Sequence, residues 1–117
     1  MIESWKDIPD YEGFYEVSNM GNVRSVDREV WNGRNFFIRK GKTISQTNGN
    51  YKQLHLCKEG VVKKHYVHRL VLQAFTEPIP DKPFCNHIDK DPYNNHLSNL
   101  EWVSALENNL HRLGQSY

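Results

Sequence analysis

A chain of 117 residues has room for one domain, or for one domain with a small appendage. Its composition, 38% hydrophobic and 25% charged, suits a packed core and excludes a disordered chain. No apolar run approaches the roughly 20 residues a membrane helix needs, the opening Met1-Ile2-Glu3-Ser4-Trp5 lacks the features of a signal peptide, and two cysteines outside any CxxC pair exclude a disulfide framework or a zinc finger. A cytoplasmic location with no membrane partner is the expectation, and Cys57 and Cys85 read as buried, apolar-like thiols.

The net charge of +1 conceals an uneven distribution. Residues 1–20 hold one base and five acids, residues 21–70 hold eleven bases and three acids, and residues 71–117 hold three bases and six acids. A basic middle between acidic ends suits a chain that tracks phosphates while keeping a cation-attracting end. A solvated lysine face with no partner has the same signature, and charge does not separate the two.

In chain order, Tyr15 and Val17 alternate with Glu16 and Ser18 and predict a short strand. Asn19-Met20-Gly21-Asn22 turns the chain, and Val23 to Val26 alternates as the returning strand, with an arginine on its polar face. Residues 27–50 contain few apolar positions besides Trp31 and Phe36-Phe37-Ile38. With Gly33, Gly41 and Gly49 as breakers, this stretch reads as loop with short strands. Tyr51 to Leu56 and Val61 to Val67 form a second hairpin around Glu59-Gly60, its return strand carrying Lys63, Lys64 and His65. Val67, Leu70, Val71, Ala74 and Phe75 then mark one face of a short helix, stopped by Pro78 and Pro80.

The last third reads as strand (Phe84 to Asp89), long loop (Lys90 to Ser98), strand (Asn99 to Val103) and helix (Ala105 to Leu113). Ser104 and Glu107 have capping-box spacing, and Gly114 suits the position just past the helix end. Hydrolysis of a phosphodiester needs a base for the attacking water, a cation for the leaving oxygen and a frame for both. His87 sits in a predicted strand among polar residues. Asn86 beside it offers a hard oxygen donor, Asn108 can point back at the hairpin from the helix, and Asn99 can tie the loop backbone together.

Val67-His68-Arg69-Leu70-Val71, Ala74-Phe75, Asn86-His87-Ile88-Asp89, Asn94-Asn95, Asn99-Leu100-Glu101-Trp102-Val103 and Glu107-Asn108 together resemble the HNH endonucleases of phages and mobile introns. Trp5-Lys6-Asp7-Ile8-Pro9, Tyr11-Glu12-Gly13, Tyr15-Glu16-Val17-Ser18-Asn19 and Gly21-Asn22-Val23-Arg24-Ser25 resemble a short module found ahead of such nucleases. Roughly residues 30–50 carry neither resemblance. The resemblance implies an α+β fold of small antiparallel strands: an N-terminal module over 1–50 and a nuclease domain over 51–117, with a ββα-metal (His-Me finger) motif at about 83–114. It implies a DNA endonuclease using Mg²⁺ or Mn²⁺ and leaving 5′-phosphate and 3′-hydroxyl ends. His87 would be the general base, its other ring nitrogen donating to a backbone carbonyl. Asn86 and Asn108 would hold the cation, Asn99 would shape the loop, and Arg112 would contact the scissile phosphate. Members of that family often carry an acid or a histidine where Asn86 stands, which leaves an inactive DNA-binding module of the same fold as the alternative.

The expected partner is double-stranded DNA, with a homodimer as one route to cutting both strands. Arg24, Arg28, Arg34, Lys63, Lys64 and His68 are the candidate nucleic-acid contacts. His68 reads otherwise as a packed or capping histidine, and His55, His65 and His96 as surface residues or phosphate contacts. His111 is a lesser candidate ligand. Trp5, Trp31 and Trp102 read as core. Asp89 is expected on the hairpin face with His87, and Asp91 and Asn94-Asn95 in turns.

Overall fold

Leu54 and Leu56 alternate with His55 and Cys57, the period of two that a strand with one buried face requires. A computed structural model describes residues 2–114 and places this stretch in strand β7 (Lys52–Lys58), the middle of a sheet with β6 (Thr47–Asn48) and β8 (Val61–Tyr66). Glu59 and Gly60 take φ values of 52° and 79°, the paired positive dihedrals of a two-residue hairpin turn. The same alternation that buries Leu54 and Leu56 turns Cys57 outward, so this thiol is exposed rather than buried.

The N-terminal sheet is antiparallel, in the order β1 (Trp5–Asp7), β2 (Tyr15–Ser18), β3 (Val23–Ser25). Val17 and Val23 face each other across it and are fully buried. Strand β1 was not among the predicted elements. It has no alternation of its own and exists through its pairing of Trp5 with Ser18. Next come β4 (Arg28–Trp31) and β5 (Phe36–Arg39), a hairpin closed by Asn32, whose Oδ1 accepts the N–H groups of Arg34 and Asn35 at 2.9 and 2.8 Å. Trp31 lies on an outward face of this hairpin, 54% exposed, which corrects its reading as core.

Helix α1 (Val67–Phe75) buries Val67, Leu70, Val71 and Leu72. It ends at Thr76, whose N–H and hydroxyl both bond the Leu72 carbonyl, two residues ahead of Pro78. The last unit is β9 (Phe84–His87), a 3₁₀ turn (Leu97–Asn99), β10 (Leu100–Val103) and α2 (Ala105–Arg112). β9 and β10 are antiparallel, with His87 opposite Leu100 and Asn86 opposite Glu101. The capping box forms: Glu107 N–H donates to Ser104 Oγ at 3.1 Å and Ser104 N–H to Glu107 Oε1 at 3.0 Å. Gly114, at φ +80°, takes the left-handed position past the helix end.

One apolar cluster unites these parts: Ile8, Tyr11, Val17 and Val23 pack with Leu54, Leu56, Val67, Leu70, Val71, Leu72 and Leu100. Residues on both sides of position 50 therefore share a core, and α1 lies between the N-terminal sheet and β9–β10. Among the described residues no helix is long and apolar enough to cross a membrane.

Candidate active site

The end of β9 sets His87 in the protein interior, 6% exposed, where α1, β9 and β10 converge. Its Nε2 is 2.8 Å from Asn95 Oδ1, and Asn95 is itself buried. An amide oxygen only accepts, so this bond puts the imidazole proton on Nε2 and makes Nδ1 the basic nitrogen. The expected backbone acceptor is thus replaced by a side chain that had been read as a turn residue.

Rings hold the imidazole from its other sides. Tyr51 stacks on His87 at 5.9 Å with 15° between planes, and the His68 ring lies 4.9 Å away. Tyr51 and Tyr66 pack on His68 in turn, at 5.0 and 5.8 Å. His68 is 6% exposed, and its Nδ1 has no hydrogen-bond partner among the described residues. Burial, with His87 and Arg69 beside it, pushes its pKa down to about 4 and keeps the ring neutral. The Cys85 thiol donates to the His68 carbonyl, and burial raises that thiol to about 12, which makes it inert.

Asn86 is buried on β9, where its Nδ2 donates to Glu101 Oε1 at 3.0 Å across the strand pair. From α2, Asn108, His111 and Arg112 line the same cleft of about 660 Å³, three and four residues apart and so on one helix face. His111 Nε2 lies 3.3 Å from the His87 carbonyl, and Arg112 Nη2 donates to Asn109 Oδ1 at 2.7 Å. Arg69 and Lys90 add positive charge to the cleft wall, and none of the described residues lining it is a carboxylate.

The loop between β9 and β10 is tied by Asn99. Its Oδ1 accepts the Asp89 N–H at 3.0 Å, while its Nδ2 donates to Asp89 Oδ1 and to the Asn94 carbonyl, both at 2.9 Å. Asp89 also accepts from Asn94 Nδ2 and the Asp91 N–H, and these donors, led by Asn94, hold its carboxyl below the usual range. The strand stops at His87, so Asp89 belongs to the loop rather than to the hairpin face, and its oxygens are engaged there.

Of the candidate contacts to nucleic acid, only His68 lies in the cleft. Arg24 pairs with Glu16 at 2.8 Å and covers Trp5 at 3.9 Å. Arg28 covers Phe14, and Arg34 sits at the tip of the β4–β5 hairpin. Lys63 and Lys64 are neighbours on β8 and so face opposite ways. Lys64 lies over Tyr66 on the cleft side. Lys63 faces a larger groove of about 960 Å³, whose polar groups serve one another: Tyr11 Oη bonds His65, Lys82 bonds Glu107, and Arg69 bonds the Pro83 carbonyl. The smaller cleft is the one that gathers His87, Asn86, Asn108 and Arg112. The sequence reading missed Asn95, Tyr51, Tyr66 and Lys90. Only Asn95 carried a signal, the Asn94-Asn95 pair inside the stretch that resembles HNH enzymes.

A buried histidine at the end of a β-hairpin, facing amide and basic side chains from the helix that follows, defines a ββα-metal nuclease fold. Residues 65–110 match the HNH endonuclease family and residues 3–57 match the NUMOD4 motif. The chain carries an HNH-type endonuclease domain behind an N-terminal NUMOD4 module. Its sequence is 36% identical over 113 residues to DNA endonuclease I-HmuI of Bacillus phage SP01, covering 92% of this chain and 58% of that one. It is also 36% identical over 115 residues to the uncharacterized HNH endonuclease L247 of Acanthamoeba polyphaga mimivirus, covering 93% of this chain and 26% of that one. The solved structure described as DNA binding and cleavage by the HNH homing endonuclease I-HmuI superposes with a TM-score of 0.75 at 34% identity. It covers 97% of this chain and 61% of that one. The chain thus spans less than two thirds of the length of these relatives.

Proposed function

We propose that this chain is a DNA endonuclease that hydrolyses phosphodiester bonds of duplex DNA with a divalent cation, leaving 5′-phosphate and 3′-hydroxyl ends. The observation that carries this reading is the His87–Asn95 bond, which leaves Nδ1 of a buried, fixed imidazole as the acceptor for a water proton. The cleft around it is basic, as a phosphate site should be. DNA binding and cleavage are stated of the relative with the solved structure, and they come to this chain as part of the proposal.

Asn86 and Asn108 would hold the cation. Amide oxygens are hard donors and suit Mg²⁺ or Mn²⁺, and the described residues contain no acidic or histidine cluster that would compete for it. Two neutral ligands would bind weakly alone, and DNA phosphate oxygens would complete the site. When bound, the cation stabilises the charge that develops on the leaving 3′ oxygen. His87 takes the proton of the attacking water, Asn99 keeps the loop that aims it, and Arg112 neutralises the scissile phosphate. Lys64 on the cleft side, with Arg28 and Arg34 of the β4–β5 hairpin, contacts the nucleic acid outside the reacting atoms. Arg24 is instead paired with Glu16, Lys63 faces the other side of β8, and the buried His68 packs beside the base. One such site cuts one strand per encounter.

The cleft's lack of a carboxylate favours one rival, a DNA-binding module of the same fold without activity. Plasmid nicking with Mg²⁺ or Mn²⁺ decides between them, with EDTA and His87→Ala as controls. Nicking lost in both controls supports the nuclease, whereas DNA binding without nicking on plasmid and genomic substrates supports the module.

A further inference from the structure

The turn between β2 and β3 reaches across the molecule to the partner of His87. Gly21 takes φ +85°, and a Cβ placed there would stand 2.8 Å from Asn95 Cβ and 3.1 Å from the Asn95 carbonyl oxygen. No real Cβ sits that close to another carbon, so this turn and the 94–97 loop are in full contact. The Asn19 carbonyl of the same turn accepts the Leu97 N–H at 2.8 Å.

The turn is itself firmly held. The fully buried Ser18 accepts the N–H groups of Met20 and Asn22 at its Oγ, both at 3.1 Å. Asn19 Oδ1 accepts the Ser4 N–H at 2.9 Å, and Gln46 Nε2 donates to the Gly21 carbonyl at 2.8 Å. Asn95, by contrast, has little to hold its side chain. Its Nδ2 is buried without a hydrogen-bond partner among the described residues, which leaves the bond to His87 as its polar anchor. What stands behind residue 95 is Gly21, which lies against its Cβ and backbone carbonyl and so fixes the stem from which the amide reaches His87.

We propose that the β2–β3 turn of the N-terminal module is a positioning element for the base. Gly21 and Asn19 hold the 94–97 loop so that Asn95 Oδ1 stays on His87 Nε2, which keeps the proton there and presents Nδ1 to the cleft. The module is thereby part of the machinery that sets the base, in addition to any grip it has on DNA. This inference rests on the reading of His87 as the base, but its first test does not depend on activity.

That test is the tautomer of His87, read from long-range ¹H–¹⁵N correlations of its imidazole in metal-free, DNA-free protein. The native chain should show the proton on Nε2. Gly21→Ala and Asn95→Ala should both give a mixture of tautomers. Gly13→Ala is the control, since Gly13 has φ +80° but open space around a Cβ, so alanine there brings backbone strain without the contact. It should keep the native tautomer.

In nicking assays Gly21→Ala should lower kcat roughly tenfold to a hundredfold with KM for DNA unchanged, the mark of a misplaced catalytic group. Should Gly21→Ala fail to fold, the double variant Gly21→Ala with Asn95→Gly removes the Cβ that the new methyl meets. It should match Asn95→Gly alone in tautomer and in kcat. The proposal is overturned if native His87 carries its proton on Nδ1. It also fails if folded Gly21→Ala keeps the native tautomer, if Gly13→Ala changes it equally, or if Gly21→Ala costs a further tenfold in the Asn95→Gly background. A native chain that nicks nothing yet shows the tautomer changes would overturn the nuclease reading and leave the positioning role standing.

Discussion

The β9–β10–α2 unit and the β4–β5 hairpin both carry residues expected to meet DNA, yet they are built in opposite ways. In the first, His87, Asn86, Asn95 and Asn99 are polar and buried, each bonded to a named partner. In the second, Phe36, Trp31 and Ile38 are more than half exposed, and the strands hold mainly to each other. The contrast follows from what each must do. In the proposed reading a base has to stay within a fraction of an ångström of its working position, and a surrounding packed by rings and anchored by hydrogen bonds provides that. A phosphate contact tolerates ångströms of play, because a long cationic side chain adjusts to the backbone it meets.

The largest expected effect tests this contrast directly. His87→Ala should reduce the nicking rate by about 10²- to 10⁴-fold, the usual share of a general base. Arg34→Ala at the hairpin tip should change that rate little at saturating DNA. Comparable losses in both variants would erase the distinction. Stability should divide the same way. Leu56→Ala, in the shared core, should cost about 2–5 kcal/mol in urea unfolding, whereas Phe36→Ala should stay within about 0.5 kcal/mol because its ring is already in water.

A pH series sharpens the picture of the buried site. The pKa of His68 lies near 4 in the folded chain against 6.5 for a free histidine. Below pH 6.5 the unfolded chain therefore takes up a proton that the folded one refuses. Stability from this group is complete above about pH 6.5, falls as the pH drops toward 4 and levels off beneath it. Its full extent is about 3 kcal/mol at most. His68→Phe should remove that slope in melts between pH 4 and 7, and an unchanged slope would show that another group carries it. The smallest effect concerns grip. Lys64→Ala, on the cleft side, should reduce the salt dependence of DNA binding by roughly one unit of slope, and Lys63→Ala, on the opposite face, by less. The reverse order would place the DNA on the other side of β8.

The helix faces and the second hairpin were legible because their signals are local. The spacing from Val67 to Phe75 matches the observed helix end to end, and Gly60 turns the second hairpin where the sequence placed the turn. The strand–loop–strand–helix order and the capping box of Ser104 and Glu107 were legible for the same reason. Trp31 was misjudged because an aromatic residue states its apolar area but not whether another element will cover it. Asp89 looked available because its sequence neighbours do not reveal that Asn94 and Asn99 take its oxygens.

Periodicity, capping and turn chemistry act within a few residues, so the sequence by itself determined most of the elements and singled out His87, Asn86, Asn99 and Asn108. Which side chain would bond His87, which rings would enclose it and which distant turn would stand behind Asn95 depended on packing among segments far apart in the chain. Burial and close contact arise only when those segments meet. Tertiary structure alone therefore decided that Asn95 sits on His87 and that Gly21, far away along the chain, sits on Asn95.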